Sequence, residues 1–377
     1  MRSKLKFLAA LAVGLVLASC ARPAAAHDQS VDHEHDMDHR QEGANLELFL
    51  SLQGLSSDGP SGKPERQEDS WGAADLVFSA NHGRWRAMGE YNLGPIEHDL
   101  ERFQVGFEPV PDTLLWLGRF HQPGSAWNDE FHHGHYLQTA ITRPSIEFWE
   151  DEEGLLPQHL AGALLESRQP VGAAAGVQLS LGLGLGSVLD NDGLEPVAFI
   201  NRNRGGHQLS ETARISFLPQ YLGSSSVGLL FGHHRLPVVE PVAALSLGAQ
   251  WVDQNVTGAY VDLDRDVWRA VGVVYFVDVD LQGGGADRRE HFASGYLQLE
   301  RQVGHGLTVF GRHENSADAS HSRFVAIHAD DFVAHGNLVG LRWDFARRQA
   351  LTIQLARETT LQHTQSVGRI QWSGVVP

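Results

Sequence analysis

Hydrophobic and polar residues alternate one by one along most of the chain from Asn45 onward. The alternation is clearest over residues 177–185, where Val and Leu alternate with Gln, Ser and Gly. It recurs over residues 212–217, 277–282 and 339–345. A period of two residues is typical of β-strands with one apolar and one polar face. Clusters of Gly, Pro, Asn and Asp separate these segments, as turns do. Only residues 155–168 also fit the face of a helix, so the pattern predicts an all-β protein.

Alternation of this kind occurs both in soluble β-sandwiches and in membrane β-barrels. Two features favour the barrel. The pattern continues for over 300 residues without a second composition, whereas a soluble sandwich of that size usually divides into domains. One face of each segment carries Leu, Val, Phe and Trp, while the other carries Arg, Asp, Gln and Ser. We therefore predict a transmembrane antiparallel β-barrel, with apolar faces toward lipid and polar faces toward a wet lumen.

The number of strands follows from the length of chain that each strand consumes. A membrane strand takes about 9–11 residues, so with its connections each accounts for roughly 20–22 residues. The chain beyond Ala44 then supports about 16 strands, with 14 and 18 as alternatives. A barrel of this size leaves an aqueous channel, whereas about eight strands would fill the interior with side chains.

The N-terminus has the form of an export signal. Arg2, Lys4 and Lys6 precede the apolar run 7–18, which predicts a signal peptide over residues 1–26. Two cleavage sites remain open. Cleavage before Cys20 would leave a lipidated residue, and cleavage after the Ala-rich segment 24–26 would remove that cysteine. Residues 27–44 are rich in His and Asp and predict a disordered tail, so the barrel is expected over residues 45–377.

Composition and charge exclude several classes of protein. A single cysteine among 377 residues rules out an intrachain disulfide scaffold. Beyond residue 21 no apolar run reaches the ~18–20 residues of a membrane-spanning helix. The formal charge is −17, and removal of residues 1–26 makes it −21. Because phosphate binding needs clustered Lys and Arg, we expect no nucleic-acid partner.

A long segment without alternation, residues 121–156, follows the strand that ends in Gly118-Arg119-Phe120. A connection of this length inside a compact fold is usually functional. Pro123-Gly124 would turn the chain inward, and Trp127, Phe131 and Tyr136 could anchor it on the wall. We therefore predict a pore loop that folds into the lumen and narrows it.

These features together resemble the porin-like outer-membrane proteins of Gram-negative bacteria, including the phosphate-selective kind. The resemblance rests on Gly118-Arg119-Phe120, on Pro123-Gly124, on the strand pattern and on the export signal. It implies an outer-membrane channel for passive diffusion of small hydrophilic solutes or ions, surrounded by lipid. The oligomeric state stays open, with a homotrimer as one alternative. No G-x-S-x-G elbow or nucleotide-binding fingerprint is present, so we expect no enzymatic activity.

Candidate pore residues come from the long loop and from the polar faces of the predicted strands. Arginine suits anion guidance because its guanidinium binds oxyanions in a bidentate manner, and carboxylates would supply the opposite charge. This predicts that an Arg119→Ala substitution changes ion preference more than stability. The acidic candidates on strands are Asp262, Asp264, Asp266, Asp278 and Asp280. The pore and constriction candidates are Arg119, Trp127, Asp129, Glu130, His132, His133, His135, Arg84, Arg86, Arg102, Arg214 and Arg342.

The chain also contains 21 histidines, which raises a second hypothesis. Imidazole and carboxylate ligands suit Zn²⁺ or Cu²⁺, and a flexible tail can wrap an ion without preformed geometry. The alternative function is therefore a metal-binding outer-membrane or periplasmic protein. A simpler interpretation is that the loop histidines hydrogen-bond the loop to the barrel wall. The candidate metal ligands are His27, His33, His35, His39 and His121.

Overall fold

The computed structural model describes residues 42–58, 67–94, 98–131, 135–150, 154–190, 193–199, 205–239, 247–283, 288–329 and 331–376. The predicted signal peptide, Cys20, and the His-rich tail as far as residue 41 lie outside the described residues. Within the described ranges, no helix is both long enough and apolar enough to cross a membrane.

Strands dominate the described chain. The helical elements are α1 (Ala126–Asp129), a 3-10 turn (Ser145–Glu147), a second 3-10 turn (Ala319–His321) and α2 (Arg323–His328). The strands are β1 (Gly43–Ser57), β2 (Gln67–His82), β3 (Trp85–Leu93), β4 (His98–Val110), β5 (Thr113–His121), β6 (His159–Val171), β7 (Ala175–Leu185), β8 (Val188–Leu189), β9 (Leu194–Glu195), β10 (Leu209–Leu218), β11 (Ser226–Pro237), β12 (Trp251–Arg265), β13 (Trp268–Gln282), β14 (Arg288–Gly304), β15 (Leu307–Ala317), β16 (Val333–Ala346), β17 (Gln349–Thr360) and β18 (Thr364–Val376).

Sixteen of these strands form one closed barrel, as the sequence predicted. β1 to β7 and β10 to β18 follow one another around the wall, and β7 pairs directly with β10. β1 closes the barrel by pairing antiparallel with β18, from Leu48 opposite Val376 to Ser57 opposite Val367. The short strands β8 and β9 form a separate two-stranded sheet within the β7–β10 connection. Residues 155–158 end a loop and β6 begins at His159, so the segment with ambiguous periodicity is a strand.

The two rims of the barrel differ in their connections. At the rim where β1 begins and β18 ends, here called the turn rim, most connections are tight turns such as 111–112 and 266–267. Asp112 and Asp266 have φ values of 59° and 56° there, the left-handed conformation that short hairpin turns require. The opposite rim, here called the loop rim, carries the long connections, including residues 122–158 between β5 and β6.

The outer surface of the barrel carries a band of exposed apolar side chains. On β7, Leu179, Leu181 and Leu183 are 37–48% exposed and alternate with the buried Ser180 and Gly182. Ile215 of β10, which lies opposite Leu179, continues the band. Exposed tryptophans at positions 85, 268 and 343 lie near the turn rim. An apolar band edged by aromatic residues is the outer surface expected of a membrane barrel.

Strand β13 departs from the predicted orientation. Val277, Val279 and Leu281 are buried inside the barrel, whereas Asp278 is exposed on the outer surface and Asp280 lies on the same face. The expectation that these two aspartates line the lumen is therefore wrong. The reason is that the inner face of β13 belongs to one apolar cluster with residues of the β5–β6 loop and of other elements inside the barrel, so apolar residues are stable there.

Polar side chains cover the outer surface of β11 to β14 near the loop rim. His233 of β11 contacts Asn255 of β12 at 2.9 Å. Arg289 of β14 lies 3.5 Å from Asp280 of β13, and this arginine is largely exposed. Charged groups are costly against hydrocarbon, so the apolar band ends below these residues.

Candidate functional site

The loop 122–158 enters the barrel and returns to the rim from which it started. Its Glu130 side chain reaches Arg269, the second residue of β13, at the turn rim. On the way back Thr139 donates to Glu300 of β14 at 2.7 Å. The backbone N–H of Ser145 then donates to Glu314 of β15, nearer the loop rim, at 2.7 Å. The predicted in-folded loop is thus present. It spans residues 122–158, whereas residues 121–156 were predicted.

Apolar side chains of the loop pack on the inner wall. Trp127 and Phe131 are almost completely buried and meet edge to face with ring centroids 5.0 Å apart. They belong to one apolar cluster with residues of β11 to β16, including Tyr275 and Tyr296. Burial of such large side chains is the main favourable contribution to loop docking. Trp127 was also predicted to line the constriction, but its side chain is completely buried between loop and wall and does not line the passage.

The tip of the loop also reaches the opposite wall. Tyr136 and Leu137 pack against a small apolar cluster formed by Phe49 of β1, Val77 of β2 and Val375 of β18. The loop therefore contacts both sides of the lumen, not one side alone.

Arginines of the wall bind the loop backbone, among them Arg312 and Arg342. Arg312 of β15 donates through Nη1 to the carbonyl oxygen of Thr142 at 2.7 Å. Arg342 of β16 donates to the carbonyl oxygens of Tyr136 and Gln138 at 2.6 and 2.5 Å. Hydrogen bonds from a charged donor are stronger than neutral ones, and both arginines are buried. Arg342, a predicted pore residue, therefore holds the loop in place.

The acidic residues that follow Trp127 are paired with arginines of the wall. Asp129 forms an ion pair with Arg214 of β10. Glu130 accepts from Arg269 at 2.5 Å, and Arg269 also pairs with Asp262 at 2.8 Å. Asp129, Glu130 and Arg214 were predicted to face the pore. The structure places them inside the barrel, where they join the loop to the wall.

A buried carboxyl group, Glu147, connects the two ends of the loop. Its Oε1 accepts from the hydroxyl of Ser125 at 2.5 Å and from the hydroxyl of Tyr275 at 3.0 Å. Its carbonyl oxygen accepts from Nε of Arg143 at 2.8 Å. Burial raises the pKa of Glu147 above its ordinary value. No pattern in the sequence distinguished this residue from other loop carboxylates.

Arg119 lies in a buried ionic network near the loop rim. Its side chain is 1% exposed, and it contacts Asp99 at 2.8 Å, Glu101 at 3.8 Å and the carbonyl oxygen of Val197 at 3.3 Å. The preceding Gly118 has a φ of 141°, and a Cβ atom there would lie 2.1 Å from a backbone oxygen. Glycine is thus required at this position. The prediction that Arg119 faces the pore is corrected, because burial removes it from any passing solute.

Two histidines and Arg102 extend this network. Arg102 of β4 pairs with Glu90 of β3 at 3.0 Å. His159 lies between Glu150 and Glu101, at 2.5 and 3.1 Å, and its ring meets that of His121 at 4.8 Å. Among the residues that the structure describes, no three His, Cys, Asp or Glu side chains form a group that could hold a metal ion. The four tail histidines lie outside those residues, so Zn²⁺ or Cu²⁺ binding there stays a prediction.

The remaining predicted pore residues are dispersed. Arg84 is exposed in the turn before β3, so its assignment to the constriction is wrong. Arg86 is buried beside it, donates to the carbonyl oxygen of Gly83 at 2.8 Å and pairs with Glu108 at 3.1 Å. His135 lies in the loop, where burial and the nearby Arg143 lower its pKa to about 4. His132 and His133 lie outside the described residues.

A cavity of about 460 Å³ opens between the loop and the inner wall of β15 to β18 near the loop rim. We call it the rim cavity. Glu358 of β17 and Arg369 of β18 lie on its wall, Phe148 lies on its loop side, and Phe332 of the β15–β16 connection also lines it. Alternation and composition did not distinguish these residues from others on the strands. Arg369 occupies a polar position between Gly368 and Ile370, which was the only available signal.

No protein-family model matches the chain, and no curated protein sequence matches it. Solved structures do match. An anion-selective porin from Comamonas acidovorans aligns at a TM-score of 0.59 and 10% identity, covering 89% of this chain and 100% of that one. The outer-membrane channel DcaP of Acinetobacter baumannii aligns at a TM-score of 0.55 and 9% identity, covering 88% of this chain and 97% of that one. OmpF of Salmonella typhi aligns at a TM-score of 0.55 and 9% identity, covering 88% of this chain and 98% of that one. The chain therefore has the fold of bacterial outer-membrane porins.

Proposed function

We propose that this chain is an outer-membrane channel through which small hydrophilic solutes diffuse passively. The observation that carries the proposal is the closed 16-strand barrel with an apolar outer band and a loop folded inside it. A barrel of this size encloses a lumen wide enough for water and solutes once lipid surrounds it. The similar solved structures support the fold on which this function depends.

The loop sets the size of the passage. It contacts the wall at β10 to β17 and also reaches β1, β2 and β18, so solutes pass only where these contacts leave space. The conductance is therefore far below that of an open barrel of the same strand number. This geometry favours small solutes over large ones.

Ion preference is weak in this proposal. Arg214, Arg312 and Arg342 lie inside the barrel, and each binds a carboxylate or loop carbonyl oxygens. Paired charges of both signs create a local field but little net attraction for either ion. The phosphate preference implied by the sequence resemblance stays a prediction, as does a trimeric assembly.

Planar-bilayer recording of the purified protein tests the proposal. We expect stepwise current increases of small size, and a reversal potential near zero in a potassium chloride gradient. Detergent buffer without protein serves as the control. Absence of steps from folded, membrane-inserted protein would overturn the channel function.

A further inference from the structure

The rim cavity has a balanced set of charged side chains, although the chain as a whole is strongly acidic. Three cationic and three anionic groups line it: Arg143, Arg312, Arg369, Glu314, Asp331 and Glu358. A solute with a single charge meets as much repulsion as attraction there. A solute that carries both charges can place each one beside an opposite partner.

Two ion pairs line the cavity, and only one of them binds the loop. Arg312 pairs with Glu314 at 2.8 Å, and both bind the loop backbone, the arginine at Thr142 and the glutamate at Ser145. Glu358 and Arg369 instead pair across β17 and β18, with contacts of 2.8 and 3.4 Å. Their side chains are only 12% and 11% exposed. This second pair offers a preorganised cation and anion side by side, on the wall that a passing solute meets.

An apolar surface faces this pair. Phe148 and Phe332 line the cavity, together with Leu338 of the wall, and Phe148 is 38% exposed although it lies within the barrel loop. A volume of about 460 Å³ lies within the roughly 300–1,000 Å³ of small-molecule sites. The cavity thus combines opposite charges with an apolar patch at a scale that fits one small molecule.

We propose that the rim cavity binds zwitterionic solutes of amino-acid to dipeptide size that carry an apolar side chain. The solute carboxylate binds Arg369, its ammonium group binds Glu358, and its side chain packs on the exposed ring of Phe148. This inference rests on the proposed channel function and names the solute class that the channel favours. Binding at the rim raises the local concentration of such solutes at the entrance to the passage.

The test measures block of the ion current by three matched probes in planar bilayers. Leucine carries both charges, N-acetylleucine carries only the carboxylate, and leucinamide, at mildly acidic pH, carries only the ammonium group. Because a charged hydrogen bond contributes about 1.5–3 kcal/mol, loss of either one should weaken block about tenfold or more. We expect leucine to block at concentrations at least that much lower than either analogue. Equal block by all three probes would overturn the inference.

Two double variants locate the site. Glu358→Gln with Arg369→Gln removes the pair while conserving net charge, and we expect it to raise the half-blocking concentration of leucine about tenfold. Asp280→Asn with Arg289→Gln makes the same charge change on the outer surface and should leave block unchanged. Retained block in the first variant would overturn the assignment. The wild-type probe series decides the question independently if that variant fails to fold. Current without selective block refutes the inference alone, whereas absence of current refutes the channel itself.

Discussion

Single residues show most clearly that a charge on a predicted strand does not by itself indicate contact with solute. Arg119 was singled out because a Gly-Arg-Phe segment precedes the long loop. Its position in the structure is set by partners distant in sequence, Asp99, Glu101 and the carbonyl oxygen of Val197. Such partners follow from strand register and loop docking, which alternation does not specify. Arg119 is therefore better explained as a structural residue than as a selectivity residue.

We predict that Arg119→Ala destabilises the barrel and leaves its ion preference nearly unchanged. The substitution leaves Asp99 without its buried cation and removes one of the two partners of Glu101, and breaking a buried pair in this way costs about 3–5 kcal/mol in other proteins. Arg84→Ala, at an exposed turn, should change stability by less than about 0.5 kcal/mol. Denaturant unfolding in detergent, followed by tryptophan fluorescence, measures both. A shifted reversal potential with an unchanged free energy of unfolding would instead show that Arg119 contacts ions in the pore.

A buried histidine makes the stability of the loop between β15 and β16 depend on pH. His328 of α2 is 6% exposed and meets Phe324 edge to face at 5.3 Å, and burial lowers its pKa to about 4. Since the ordinary histidine pKa is near 6.5, the unfolded segment takes up a proton first as pH falls. The free energy of unfolding of this segment is therefore highest above about pH 6.5. It decreases as the pH falls to about 4, by about 3 kcal/mol in total.

Hydrogen exchange of residues 318–329 measures this loss. We expect protection in the wild type to decrease between pH 6.5 and 4, after correction for the intrinsic rate. In His328→Phe, which cannot be protonated, protection should stay constant over the same range. Equal pH dependence in the two proteins would show that another group is responsible.

Among whole elements, the 122–158 loop depends on a few wall side chains for its position. Arg312 binds Thr142 through backbone and side chain and also donates to the carbonyl oxygen of Arg143 at 3.1 Å. We predict that Arg312→Ala increases mean conductance and current noise, because this loop segment loses its anchor. His313→Ala, which changes the next residue on the outer face of the same strand, is the matched control. Conductance that rises equally in both variants would contradict the anchoring role.

Alternation predicted which face of a strand points into the barrel only where the two faces have different surroundings. On β7 the outer leucines meet lipid and the inner face is Gly and Ser, so alternation gave the correct orientation. On β13 both faces are apolar over Val273 to Phe276, because lipid lies outside and the loop lies inside. Periodicity cannot tell these two apolar surroundings apart. The loop that determines the answer is more than 100 residues away in the sequence.

For the molecule as a whole, length and repeated alternation were sufficient to predict the strand number and closure. Long connections and tight turns average out around the barrel, so the length of chain per strand is close to the predicted value, and β1 closes against β18. The interior was less predictable. A wet lumen lined by arginines and aspartates was expected, whereas much of the described interior is a packed interface between loop and wall. That interface depends on tertiary contacts between residues far apart in the sequence, such as Ile141 with Gln354.

The central claim is that the loop inside the barrel sets the size of the passage. The most direct test compares single-channel conductance of the full chain with that of a variant in which residues 126–156 are replaced by a short Gly-Ser linker. The sixteen barrel strands keep their sequences, so the variant should still insert and should conduct several-fold more current. Equal conductance in the two proteins, with the variant shown to be folded and inserted, would contradict the claim.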